Sequence, residues 1–177
     1  MIFVNTISNF IRLHNIGRTS PSFVFGNSSY TFHNNSPQYR DWEESMQRCR
    51  DIKSDLVSIE SKNEWLFLKK AIQNYATGEY FIGLRRGSKS EKWRWISDKS
   101  KVRDTQRKFR WAKGEPNDDG NCAVMYKDYR QDYGRFNDLS CTAERKETGY
   151  ICESSVNSND QEGMFKKKTL WFLLRIQ

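Results

Sequence analysis

The sequence predicts an α+β domain, and three observations carry that expectation. Two segments show helix-capping signatures followed by apolar residues at helical spacing. Short strand-like runs, most of them after the helices, are separated by polar loops. Four cysteines, Cys49, Cys122, Cys141 and Cys152, are spread over the same region with no C-x-x-C pair among them. The domain is expected over residues 26–153, with an N-terminal tail or degenerate signal at 1–25 and a polar linker and basic, apolar tail at 154–177.

Residues 1–25 carry no clear period and end in the linker-like Thr19-Ser-Pro-Ser22. Ser29 to His33 alternates as a short strand, with Tyr30 and Phe32 on one face, and Pro37 closes a polar turn. Asp41 with Glu44 three residues on marks a helix start, and Trp42, Met46 and Cys49 share one face of a helix ending near Asp51. Leu56 to Ile59 is a strand-like link. Ser61 and Glu64 repeat the capping spacing, and Trp65, Leu68, Ile72 and Tyr75 form the inward face of a second helix that Gly78 is expected to terminate. Tyr80 to Leu84 is an apolar run suited to a central strand, and Trp93 to Ile96 alternates as another. The polar stretch from Ser97 to Lys108 predicts a long surface loop. Cys122 to Tyr126 and Gly149 to Cys152 complete the strands.

Composition narrows the class. The chain has 177 residues, 14% of them aromatic and 29% charged, which provides for a core and argues against disorder or a fibre. Its formal charge of +8 raises acidic partners. The Lys and Arg residues are scattered and form no recognisable recognition element, so nucleic acid is not expected and a solvated basic surface is. An even number of cysteines far from His14 and His33 favours disulfides over zinc and places the protein outside the cell, secreted or membrane-tethered. Three pairings are possible at this point. Asn5, Ser8, Asn9 and Arg12 interrupt the apolar start of the chain as an export signal. Lys166 to Lys168 precede Thr169 to Leu174, a run far below the roughly 17–25 residues that cross a bilayer.

Chemistry concentrates between Trp111 and Cys141. Glu115 and Asn117 form one cluster of side-chain oxygens, and Asn137 and Asp138 form another about twenty residues later. Oxygen-only ligands in two short clusters suit a hard cation such as Ca2+, which takes roughly 6–8 oxygens.

The ordered features resemble a C-type lectin-like domain. They are Tyr30-Thr-Phe32, Trp42 before Cys49, Leu56-Val-Ser-Ile59, Phe81-Ile-Gly-Leu84, Trp93-Arg-Trp95, Trp111, Glu115-Pro-Asn117, Cys122, Phe136-Asn-Asp138, Cys141 and Tyr150-Ile-Cys152. The resemblance implies a double-looped fold with two helices flanking small antiparallel sheets. It also implies disulfides Cys49–Cys152 and Cys122–Cys141. In the family the bond before the EPN proline is cis, and Glu115, Asn117, Asn137 and Asp138 would ligate Ca2+ and a sugar with mannose-type vicinal hydroxyls: mannose, fucose, glucose or N-acetylglucosamine. Sugar-binding members carry one further acidic ligand in the loop before Cys122. Here that loop is Asp118-Asp-Gly-Asn121, in which Asp119 or Asp118 would have to substitute. Phe136 stands where the family has Trp, and Ser29 where longer members have a cysteine. The basic, aromatic segment from Tyr126 to Arg135 resembles the membrane-anchored layilin and chondrolectin branch.

Rival functions are weighed against this. Glu115 and Asp138 could be the paired carboxylates of a glycosidase, but each sits beside an Asn and no apolar stretch is at hand to raise one pKa, so no enzyme is expected. The alternative is a Ca2+-independent domain that binds a protein or an acidic polysaccharide. Asn27-Ser-Ser29 and Asn34-Asn-Ser36 are N-glycosylation triplets.

Overall fold

A computed structural model describes residues 22–34, 41–96, 110–128, 131, 133–145 and 148–156. The elements run β1 (Ser22–Phe25), β2 (Ser28–His33), α1 (Trp42–Asp51), β3 (Asp55–Leu56), α2 (Lys62–Ile72), β4 (Glu79–Arg85), β5 (Arg94–Trp95), β6 (Cys122–Tyr126), β7 (Phe136–Leu139) and β8 (Thr148–Ser155). The expected polar turn at Pro37, the loop from Ser97 to Lys108, the leading residues and the Lys166–Leu174 run lie outside the described residues. No helix among the described residues is long and apolar enough to cross a membrane.

Both helices start where their capping residues predict. Asp41 sits in extended backbone, and its carboxylate accepts from the Glu44 N–H at 2.8 Å. Glu43 and Glu44 in the first turn and Arg48 and Arg50 in the last complement the helix dipole. Ser61 and Glu64 form a reciprocal capping box, and Glu64 also accepts from the buried Tyr30 hydroxyl at 3.0 Å. The end of α2 differs from expectation. It stops at Ile72 with Gln73 as its cap, six residues before Gly78. Backbone turns onto Ala71 and Ile72 oxygens close it, so no left-handed glycine is needed.

The strands form one eight-stranded sheet in the order β1-β2-β8-β4-β6-β7, with β3 on β8 and β5 on β4. Pairing is antiparallel except between β4 and β8, which run parallel, so the sheet is mixed where separate antiparallel sheets were expected. Two strands go beyond the sequence expectation. Ser22–Phe25, placed in the tail, pairs with β2, and Phe136–Leu139, noted only for its polar ligands, is a fully buried strand on β6.

Alternation along β4 and β6 separates two cores, because successive side chains leave opposite faces. Tyr80, Ile82, Leu84, Ala123 and Met125 pack with Trp65, Leu68 and Ile72 of α2. Phe81, Cys122, Val124 and Tyr126 pack with Trp42 and Cys49 of α1. The apolar run Tyr80–Leu84 is therefore central, buried on both faces. Trp42 donates its indole N–H to Ile82 O and Ser45 its hydroxyl to Asp41 O, each at 2.8 Å, which satisfies the polar side-chain atoms that α1 buries. Cys49 is bonded to Cys152 and Cys122 to Cys141, the pairing the resemblance implied. The first ties α1 to β8 across 103 residues of chain, and the second joins the start of β6 to the turn after β7.

Candidate functional site

The segment from Trp111 to Asn121 is laid along β7. Trp111 bridges Phe136, Ala112 N–H donates to Phe136 O at 2.8 Å, and Glu115 N–H donates back to Ala112 O at 3.1 Å. Gly114, at φ +89, takes a backbone conformation that side-chain-bearing residues avoid, and the following Glu115–Pro116 peptide is cis. Farther on, Gly120 presses against the chain leaving β7. A Cβ there would lie 1.8 Å from the Leu139 carbonyl, so only glycine fits.

These placements bring the two ligand clusters together. Asn117 N–H donates to Asp138 Oδ1 at 2.9 Å and to Glu115 Oε2 at 3.1 Å. Gly120 N–H donates to Asp138 Oδ2 at 3.2 Å. The Asn117 amide donates to Asp119 Oδ2 at 2.9 Å, while its own Oδ1 accepts from the Asp119 N–H at 2.9 Å. Glu115, Asn117, Asp119 and Asp138 thus form one connected group. Asn137, next to Asp138 on β7 and only 8% exposed, contributes no side-chain hydrogen bond to it. Asp118 turns away at φ +71 and pairs with Arg86 at 2.6 Å, which leaves Asp119 as the loop carboxylate beside the cluster.

The electrostatics differ from expectation at Glu115. Burial, then the hydrogen bond to and charge of Asp138, push its carboxyl up to about 7, against the smaller pull of the Asn117 N–H. A raised carboxyl is what the acid of a glycosidase needs, but the geometry does not suit one. A single donor, the Asn117 N–H, bridges Glu115 Oε2 and Asp138 Oδ1, whereas glycosidase pairs face each other across the substrate at about 5–9.5 Å. Asp138 is also buried, with both oxygens accepting backbone N–H groups.

Arg86 stands beside the pair, 3.9 Å from Asp138 Oδ2, but lies closer to Asp118, at 2.6 Å. Two carboxylates joined through one backbone N–H, with carboxamide oxygens beside them, have the hard donor chemistry of a Ca2+ site. Among the described residues no three His, Cys, Asp or Glu side chains converge on one point. Amide, carbonyl and ligand hydroxyl oxygens would therefore supply most of the coordination shell. The donor set fits Ca2+ on those terms.

Sequence reasoning missed Arg86 and Gly120. The glycine carried a signal in its Asp-Asp-Gly-Asn turn. Arg86 carried none, since its partners in the 118–121 loop lie more than thirty residues away. Of the two glycosylation triplets, Asn27 is exposed in the turn between β1 and β2, and the Asn34 side-chain Oδ1 accepts from the Thr77 hydroxyl at 2.7 Å.

Comparison with known proteins identifies the family and the fold. Residues 38–154 match the family model described as the lectin C-type domain. L-selectin of Rattus norvegicus is 28% identical over 141 residues, 78% of this chain and 36% of the selectin. E-selectin of Homo sapiens is 28% identical over 134 residues, 74% of this chain and 21% of that protein. The chain therefore spans about a third or less of these relatives. Among solved structures, the cow C-type carbohydrate-recognition domain of CD23, determined in the presence of a GlcNAc2Man3 oligosaccharide, superposes with a TM-score of 0.62 at 25% identity, covering 83% of this chain and 99% of that one. The Ca2+-independent C-type lectin SPL-2 from Saxidomus purpuratus gives 0.63 at 25% identity, covering 75% and 90%. With the matched model spanning well over half of the sequence, the chain belongs to the C-type lectin domain family.

Proposed function

We propose that this domain binds carbohydrate in a Ca2+-dependent way, through Glu115, Asn117, Asn137 and Asp138, with Asp119 as an additional ligand. The observation that carries the proposal is the 2.9 Å hydrogen bond from Asn117 N–H to Asp138 Oδ1, which joins the two oxygen clusters into one site. When bound, Ca2+ would supply open coordination positions for two adjacent sugar hydroxyls. The protein's own groups set which hydroxyls fit. Glu115 accepts hydroxyl protons, the Asn117 and Asn137 amides donate to hydroxyl oxygens, and the buried Asp138 holds the Asn117 and Gly120 backbone in place beneath them. The order Glu115 before Asn117 fixes that pattern of donors and acceptors, and in the resembling members it goes with mannose-type hydroxyls. The cow CD23 domain, determined in the presence of a GlcNAc2Man3 oligosaccharide, supports glycans of this kind. The expected role is recognition, with no catalysis. Two disulfides support an extracellular site of action, secreted or membrane-tethered.

The test is retention of the domain on immobilised mannose in Ca2+, followed by elution with chelator. Exchanging Glu115→Gln together with Asn117→Asp should move preference toward galactose. Retention that ignores both chelator and exchange sinks the proposal. A second reading, Ca2+-independent binding of a protein or an acidic polysaccharide, is favoured by the net charge of +8 and by the likeness to SPL-2. It predicts binding that survives chelator and weakens steeply with salt, since exposed charges are screened.

A further inference from the structure

Arg86 follows β4 and belongs to neither ligand cluster, yet it touches most of the 118–121 loop that lies beside them. Its side chain is 5% exposed. Nε donates to Asn121 Oδ1 at 3.1 Å, and Nη2 donates to Gly120 O at 2.9 Å and pairs with Asp118 Oδ1 at 2.6 Å. Asp138 Oδ2 lies 3.9 Å from the same nitrogen. Nη1 reaches Lys89 O at 3.5 Å, the guanidinium lies 4.9 Å from the Trp93 ring centre, and Arg86 N–H donates to Asn121 O at 2.9 Å.

The charge thus sits among two carboxylates, two backbone carbonyls and a carboxamide. That is the oxygen set a hard cation gathers. Here a guanidinium fills it, with a planar fork of donors that can address several oxygens in fixed directions. The left-handed backbone at Asp118 brings its carboxylate onto Arg86, a conformation that Asp adopts more readily than most residues.

We propose that Arg86 is the resident cation of the 118–121 loop: it holds the loop in its binding shape whether or not Ca2+ is present, and so acts as a positioning residue for the neighbouring site. Ca2+ removal would then empty the site without unravelling the loop. The region would bind one exchangeable ion, because the Asp118 carboxylate is already neutralised.

Hydrogen exchange on the full chain tests this, read at the Arg86 and Gly120 amides with Ca2+ and with chelator. In the unmodified protein, protection of both should agree within about twofold between the two conditions. Arg86→Met should lose protection there by about tenfold or more in chelator and recover part of it in millimolar Ca2+. Arg86→Lys, which keeps the charge and loses the fork, should fall between. Should Arg86→Met fail to fold, Asp118→Asn tests the same hold from an exposed position and should also lose protection in chelator. Chelator-dependent protection in the unmodified protein overturns the proposal, as does unaltered protection in both Arg86→Met and Asp118→Asn. Sugar retention, measured in parallel, separates the two claims. A protected loop without sugar binding refutes only the carbohydrate proposal, and sugar binding with a loop that depends on Ca2+ refutes only this one.

Discussion

Acidification from pH 8 to pH 6 is expected to weaken Ca2+ binding about tenfold, and the cause is one carboxyl. Glu115 is pushed up to about 7 by burial and by Asp138, so in the ion-free protein it holds a proton that Ca2+ must displace. One-site linkage puts the free carboxylate at about nine-tenths at pH 8, half at pH 7 and one-tenth at pH 6. A carboxyl of ordinary affinity, near 4.5, would stay almost wholly ionised over that range. Competition against a fluorescent Ca2+ indicator at three pH values measures the change. Calorimetry in buffers of different ionisation enthalpy should register about half a proton released per ion at pH 7. Constant affinity between pH 8 and pH 6 would refute a raised Glu115 carboxyl at the ion site. Stability follows with a definite sign. A carboxyl raised in the folded state contributes stability below its unfolded value, and that contribution is lost as pH rises through about 7. The melting temperature gained by adding saturating Ca2+ should therefore grow from pH 5 to pH 8.

Three further outcomes follow from the packing. Gly120→Ala places a methyl into the Leu139 carbonyl, so the loop must lift from β7, and mannose retention should fall by at least about tenfold while the core stays folded; unchanged retention with normal circular dichroism would contradict the close approach. Glu64→Ala removes the acceptor for the Tyr30 hydroxyl and for the Glu60 and Ser61 N–H groups, and chemical denaturation should show a loss of about 2–4 kcal/mol. Replacing the Cys49–Cys152 pair should cost more than replacing Cys122–Cys141, about 4–5 against about 3 kcal/mol on loop entropy, because the chain it closes is longer; equal urea midpoints would speak against that ordering.

The legible parts of the fold were those whose cause is local. Asp41 and Ser61 announce their helices because a cap and its N3 partner are three residues apart, and Tyr80–Leu84 announces a doubly buried strand by having no polar interruption. β7 was not legible as a strand. Phe136-Asn-Asp-Leu139 reads as a polar ligand motif, and its burial arises from pairing with β6 and from N–H groups of residues some twenty positions earlier. β1 was hidden because Ser22–Phe25 abuts a linker composition, and only its register with Ser28–Thr31 makes it part of the sheet. In the site, the EPN and FND residue types were readable from sequence, but the split between Asp118 and Asp119 was not. It depends on the sign of one backbone angle and on an arginine beyond the end of β4.

The strand order has a consequence for how the domain can be carried. β1 and β8, with which the described fold opens and closes, both flank β2 at one side of the sheet, and Val156 N–H still donates to Asn27 O at 2.8 Å. The oxygen cluster stands on β7, at the far edge of the same sheet. A stalk, a neighbouring domain or a membrane attached through either end would meet the molecule along one margin. The opposite margin, with its exposed Asn117 and Asp119, would stay turned toward whatever approaches from outside. Such a domain can be placed at a tip or between other modules without its attachment covering the surface that does the binding.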